Sequence, residues 1–195
     1  MQIDNEIIVI SGFSGAGKDT IAKAIHELHG HNFVVSHSTR PMRQNESQGD
    51  PYYFISDNEM CTMSFNKELI EGRCYKSTKG NWFYAVHKDQ LAEDKPYIVV
   101  LDVLGYREFV KHFGDRVLGI FINVPCDERL LRIQRQRPMD INEWNRRLLD
   151  DETQFPKSVI NSEYEFVITN DDYNIAINEL SKIISNFQSQ RSKQC

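Results

Sequence analysis

The stretch Ile7-Ile8-Val9-Ile10-Ser11-Gly12-Phe13-Ser14-Gly15-Ala16-Gly17-Lys18-Asp19-Thr20 decides the architecture. Four consecutive branched apolar residues read as a strand buried on both faces. The glycine-rich turn that follows fits the phosphate-binding pattern G-x-x-x-x-G-K-[ST] from Gly12 to Lys18 and departs at its last position, Asp19. From Ile21 to Leu28 the apolar residues carry the spacing of a helix. Strand, turn and helix in this order converge backbone N–H groups and the positive end of a helix on phosphate oxygens. Ser14, Gly15, Ala16, Gly17, Lys18, Asp19 and Thr20 are therefore the candidate cofactor-binding residues, with Lys18 reaching the β and γ phosphates. The competing reading is a tight turn without a ligand.

Working outward, short apolar runs recur at Phe33–Val35, Tyr97–Leu101, Val117–Ile122 and Tyr164–Ile168. Helical patterns fall between them, at 18–29, 104–113, 126–137, 140–155 and 172–188. Alternation of this kind predicts an α/β fold, a P-loop NTPase-type parallel sheet flanked by helices. Residues 37–95 break the rhythm with turn chemistry at Pro41, Gly49, Asp50 and Pro51 and with aromatic runs at Tyr52-Tyr53-Phe54 and Trp82-Phe83-Tyr84. They read as an inserted lobe of short strands plus a helix near 58–71. The polar, arginine-rich segment 135–147 reads as a mobile lid between two helices. The expected organisation is one domain over 1–195, with a core of 1–35 and 96–190, an inserted lobe at about 36–95 and a lid at about 135–147.

The chain has 195 residues and a net charge of −5. That charge argues against a broad nucleic-acid surface. No run approaches the ~18 apolar residues of a membrane span, and no secretory leader is visible. Cys61, Cys74, Cys126 and Cys195 show no paired spacing, which suits reduced thiols in a cytoplasmic protein. Arginines cluster at Arg40 and Arg43 and again from Arg129 to Arg147, as expected of a protein that holds a small polyanion. Arg129 and Arg132, at i and i+3, read as a solvated helix face.

A second signature follows the first: Ser36, Thr39-Arg40, Arg43, Glu46, Gly49 and Tyr52-Tyr53-Phe54. With the phosphate loop, Gly80-Asn81, Leu101-Asp102-Val103, Val124-Pro125 and Val167-Ile168-Thr169-Asn170-Asp171-Asp172, the chain resembles the guanylate kinase family over roughly 6–187. The resemblance implies transfer of the γ-phosphoryl of ATP to GMP, dGMP or a related nucleoside monophosphate, with magnesium. Partners would be small nucleotides, with no nucleic acid or membrane, and the chain a monomer or homodimer.

Phosphoryl transfer needs a donor cradle, an acceptor clamp, a cation and arginines on the charge that develops in flight. The resemblance implies Arg40, Arg43 and Tyr52 on the acceptor phosphate, Ser36 beside the base, and Trp82 where the family has a phosphate-contacting tyrosine. The competing reading of Arg40 and Arg43 is a loop ion pair with Glu46 or Asp50. Asp102 ends an apolar strand, where a carboxylate needs a partner; it fits magnesium or the N-cap of the helix at 104–113. Arg135 or Arg137, together with Arg147, resemble lid arginines, and the resemblance implies Lys18, Arg40, Arg137 and Arg147 as candidate catalytic residues. Asn170 and Asp171 resemble a donor-adenine contact, and read equally as a turn and helix cap.

Three departures stand out. Asp19 replaces the family's magnesium-binding serine and is itself a candidate metal ligand, with the Thr20 hydroxyl as substitute. The family's guanine-reading glutamate aligns with Lys76 or Arg73, cations that accept no hydrogen bond, and Glu71 would substitute only through a rearranged loop. Leu104 stands in place of a second acid. Two other readings keep the fold: a kinase of ribose 1,5-bisphosphate, which also has Gly-Lys-Asp in its loop, and a non-catalytic interaction module.

Overall fold

The structure, a computed structural model, describes residues 6–77, 80–92, 95–136 and 140–191. Its first sheet is wholly parallel. It contains β1 (Ile7–Gly12), β2 (Asn32–Val34), β8 (Tyr97–Val100), β9 (Val117–Asn123) and β10 (Phe166–Thr169), in the order β10-β9-β1-β8-β2. The alternation of side chains along β1 feeds two cores. Ile7 and Val9 pack with Tyr97, Val99, Phe109, Phe121, Phe155 and Tyr164 on one face. Ile8 and Ile10 pack with Ile21, Ile25, Ile98, Ile120, Leu180 and Ile184 on the other. Each of these fully buried isoleucines stabilises the fold by roughly 1.5–3 kcal/mol.

Helices cover both faces: α1 (Lys18–His29), α3 (Val103–Phe113), α4 (Cys126–Gln136), α5 (Ile141–Gln154), α6 (Lys157–Glu163) and α7 (Tyr173–Arg191). No described helix is long and apolar enough to cross a membrane. Cys61, Cys74 and Cys126 are free and exposed.

Between β2 and β8 lies a second, mixed sheet, β4 (Ser47–Gln48), β5 (Pro51–Phe54), β3 (His37–Ser38), β7 (Gly80–His87) and β6 (Leu69–Ser77), in that spatial order, with α2 (Asp57–Phe65) beside it. The helix expected near 58–71 is shorter. Ser56 and Glu59 close a capping box at its start, and after Phe65 the chain turns through Lys67, whose φ is 57°. Leu69-Ile70, apolar enough to read as helix, instead begins β6.

Two further expectations change. The segment 135–147 is not a connection throughout: α4 runs to Gln136 and residues 141–147 are the first two turns of α5, started by an Asp140 side chain that accepts from Asn142 N at 2.9 Å. Tyr164 and Glu165 precede β10, and Tyr164 is core. The two-turn α6 was not foreseen.

Candidate active site

The turn after β1 is tight because backbone approaches backbone. A Cβ on Gly12 would lie 2.3 Å from the Ile122 carbonyl oxygen of β9, so only glycine fits. Gly17, in the left-handed region at φ 85°, caps the N-terminus of α1. Ala16 is buried, and its carbonyl accepts from Asn170 Nδ2 at 2.9 Å. Asn170 is itself buried and held by Arg132, whose Nη2 donates to the Asn170 carbonyl at 2.7 Å. Asn170 thus braces the loop from behind, while Asp172 caps α7 through Ile175 N. Asp171 is exposed.

A buried ion pair locks the front of the loop. Asp151 of α5 accepts from Ser14 N at 2.9 Å and Ser14 Oγ at 3.1 Å. Arg129 of α4 donates to Asp151 at 2.8 Å and to the Ser14 carbonyl at 3.2 Å, and its guanidinium lies over the Phe13 and Trp144 rings. The solvated face expected for Arg129 and Arg132 is therefore corrected: Arg129 is 6% exposed, and Arg132 is spent on Asn170 and Glu128.

From this loop a cleft of about 780 Å³ opens toward the second sheet. Ser14 and Lys18 line one end; Ser36, Arg40, Arg43, Tyr52, Trp82, Tyr84 and Asp102 line the rest, with Arg146 and Arg147 of α5 reaching in. Asp19 and Thr20 are exposed at the start of α1, and neither lines the cleft wall, although Asp19 acts electrostatically on Lys18 and Tyr52. Arg135 is exposed and outside the cleft lining. Arg137 lies outside the described residues.

Arg40 and Glu46 form the expected loop ion pair, fork to fork at 2.7 Å, between the Tyr52 and Phe54 rings. Arg40 nevertheless borders the cleft, so pairing and clamp are compatible. Asp102 resolves similarly. It caps α3 by accepting from Gly105 N at 2.7 Å and also accepts from the Tyr75 hydroxyl. Among the described residues no three His, Cys, Asp or Glu side chains converge as a metal site.

The electrostatics of the cleft are those of a cation cluster awaiting an anion. Burial pushes the Lys18 ammonium down, opposed by Asp19 and Asp151 and reinforced by Arg147 and Arg129. Burial also lowers Arg43, reinforced by Arg40 and Arg147. On α5, the Arg146 hydrogen bond first of all holds Glu143 down at about 2, and Arg147 Nε donates to Glu143 at 2.9 Å.

Tyr75 and Ser77, which sequence reasoning missed, lie on β6 beside Glu71 and Arg73, which it weighed. The odd positions of β6, Glu71, Arg73, Tyr75 and Ser77, all line the cleft. Lys76 falls at an even position on the other face and is exposed. No loop rearrangement is needed to bring Glu71 to the cleft, which corrects the expectation that one would be. Burial lifts the Glu71 carboxyl to about 7, with Arg73 opposing and Asp102 adding to the rise. A carboxyl raised from 4.5 to about 7 binds a proton in the folded state that the unfolded chain has released. Stability relative to Glu71→Gln is therefore expected to fall as pH rises through that window, by on the order of 3 kcal/mol. Urea midpoints of both proteins at pH 4.5 and pH 7.5 check this, and a pH-independent difference would contradict it.

A parallel sheet with a glycine-rich loop at the end of β1, a partly buried lysine in that loop and arginines facing it define a phosphotransferase of the P-loop kinase fold. The family profile described as guanylate kinase matches residues 4–187. A guanylate kinase of Photorhabdus laumondii is 30% identical over 196 residues, covering 98% of this chain and 93% of that protein. One of Bacteroides fragilis is 30% identical over 199 residues, covering 93% and 89%. The crystal structure of the Anaplasma phagocytophilum guanylate kinase superimposes with a TM-score of 0.67 at 26% identity, covering 96% of this chain and 86% of that one. A Sinorhizobium meliloti gluconokinase, 15% identical with a TM-score of 0.57 over 97% of this chain and 99% of that one, shares the fold. The chain belongs to the guanylate kinase family.

Proposed function

We propose that the chain transfers the γ-phosphoryl group of ATP to GMP or dGMP, with magnesium. The observation that carries this reading is the position of Arg147: it lines the same cleft as Lys18 at the loop end and Arg43 at the other. One lid-side guanidinium thus faces both the donor loop and the acceptor clamp, where a phosphoryl group in transit would sit.

In this reading Lys18 and the loop amides hold the triphosphate of ATP, with Ser14, Gly15, Ala16, Gly17, Asp19 and Thr20 around it and Asn170 and Asp171 toward its adenine. Arg40, Arg43 and Tyr52 hold the acceptor phosphate, and Ser36, Trp82 and Glu71 surround the acceptor nucleoside. An acceptor phosphate oxygen attacks the γ-phosphorus as its bond to the leaving ADP oxygen breaks. Arg40, Arg147 and the lid arginine Arg137 neutralise the charge spread over the transferring group. Closure of the 36–95 lobe and the lid on the core excludes water. A magnesium ion accompanying ATP would need one or two carboxylates beside the phosphate loop. Asp19, exposed beside Lys18, fits that demand better than Asp102, whose oxygens already serve Gly105 and Tyr75. The ion would screen phosphate charge there.

A coupled assay with ATP across the ribo- and deoxyribonucleoside monophosphates, with ribose 1,5-bisphosphate included, tests the reading. GMP or dGMP as preferred acceptor is expected. Preference for the sugar bisphosphate, or no turnover at all, would contradict it. Arg40→Ala is expected to raise the acceptor KM at least ~30-fold, the cost of a lost charge-assisted fork, with the KM for ATP changing by less than about threefold. Equal losses for both substrates would contradict an acceptor-side role.

A further inference from the structure

We propose that Arg73 is the residue that makes the acceptor pocket selective for a 6-oxopurine, by donating hydrogen bonds to the O6 and N7 edge of the base; this rests on the nucleoside monophosphate kinase reading above. Arg73 follows Glu71 by two residues on the cleft face of β6, so the two side chains stand roughly 7 Å apart along one wall. Glu71 is 6% exposed and Arg73 partly buried.

The Arg73 guanidinium is underused. Among the described residues it makes one hydrogen bond, Nη1 to its neighbour's carbonyl at Gly72, and its buried Nε has no hydrogen-bond partner. Asp102 stands 3.7 Å from that Nε, but its two oxygens are taken by Gly105 N and the Tyr75 hydroxyl. Asp102 therefore holds Arg73 in place by charge without consuming its donors. A planar fork of five N–H groups with spare donor capacity, fixed beside a carboxyl on the same wall, is a donor–acceptor pair suited to a base edge.

The order of the pair reads one kind of base. A 6-oxopurine presents a ring N–H beside a carbonyl: the carboxylate of Glu71 accepts the N–H side, and Arg73 donates to O6 and N7, the pairing an arginine fork makes best. Adenine offers an amino group where O6 would be, so two sets of donors would face each other in a desolvated pocket.

The test measures kcat/KM for GMP, IMP and AMP with ATP saturating, on the unmodified chain, Arg73→Met and Arg73→Lys. The unmodified chain is expected to prefer GMP over AMP by at least ~100-fold. Arg73→Met should lower kcat/KM for GMP and IMP by about 10- to 100-fold, mainly through KM, and collapse the GMP-to-AMP ratio to within about tenfold. Arg73→Lys, which keeps the charge and loses the fork, should fall between them. Purely structural damage would lower all three substrates together and leave the ratio unmoved, and that outcome in either variant would overturn the assignment. An unmodified chain that turns over no nucleotide would instead overturn the kinase reading on which this one rests.

Discussion

Replacing Lys18 with alanine is expected to lower kinase turnover by at least ~10³-fold while leaving the fold standing. Lys18 is the cation of the phosphate loop. Its Nζ donates to the Phe13 carbonyl of the same loop at 3.0 Å, and burial penalises its charged form. That penalty is borne by the folded state and offsets the hydrogen bond that is lost, so removing the ammonium is expected to cost little stability. Alanine is also a good helix former at the first position of α1. In the proposed reaction, however, the β and γ phosphate oxygens gain charge beside this group, and nothing else in the loop carries a fixed positive charge. Turnover in the coupled assay and the melting temperature measured together check the claim. Retained turnover, or a melting temperature lowered by more than about 8 °C, the scale of a 1–2 kcal/mol loss at this size, would contradict it.

The largest expected effect on stability is at Asp151. Asp151→Ala leaves the Arg129 guanidinium, 6% exposed, without its counter-charge and leaves Ser14 N without its acceptor. Breaking one side of a buried pair costs about 3–5 kcal/mol, and an orphaned amide adds about 1–3 kcal/mol where water cannot reach it. The consequence extends to the reaction. Arg147 lies one helical turn before Asp151 on α5, so Asp151 fixes where Arg147 stands relative to the loop. The double variant Arg129→Met with Asp151→Leu removes both charges and is expected to recover most of the stability. It does not restore the tie between α5 and the loop, so the KM for ATP should stay raised. Urea denaturation of both variants, with ATP kinetics on the double one, separates these effects. A cost under about 1 kcal/mol for Asp151→Ala, the value typical of an exposed pair, would contradict the buried clamp.

What could be read from sequence follows from how far apart the interacting residues lie. The loop, α1 and the parallel strands are local patterns: four apolar residues, a glycine turn, a 3.6-residue period. Arg40 with Glu46 is equally local, six residues apart in one turn. Arg129 is the opposite case. At i and i+3 with Arg132 it has the spacing of a surface face, and its burial depends on Phe13, Trp144 and Asp151, which the fold brings from distant segments. The choice between Lys76 and Arg73, and the place of Glu71, stayed open for another reason. Counting along the chain against a family spacing placed Lys76 or Arg73 at the base, whereas the two-residue period of β6 decides which side chains face inward. The run Glu71-x-Arg73-x-Tyr75-x-Ser77, polar at every second position, was the available signal. The short α6 has Ile160 as its one buried apolar anchor, too little periodicity to stand out.

Calorimetric titration with adenosine and guanosine joined through a five-phosphate bridge tests most directly whether one cleft holds donor and acceptor face to face. Binding of one analogue per chain, at least ~100-fold tighter than ATP or GMP alone, is the expected result, because the second half binds intramolecularly. Two analogues per chain, or an affinity no better than that of ATP, would contradict transfer across this cleft.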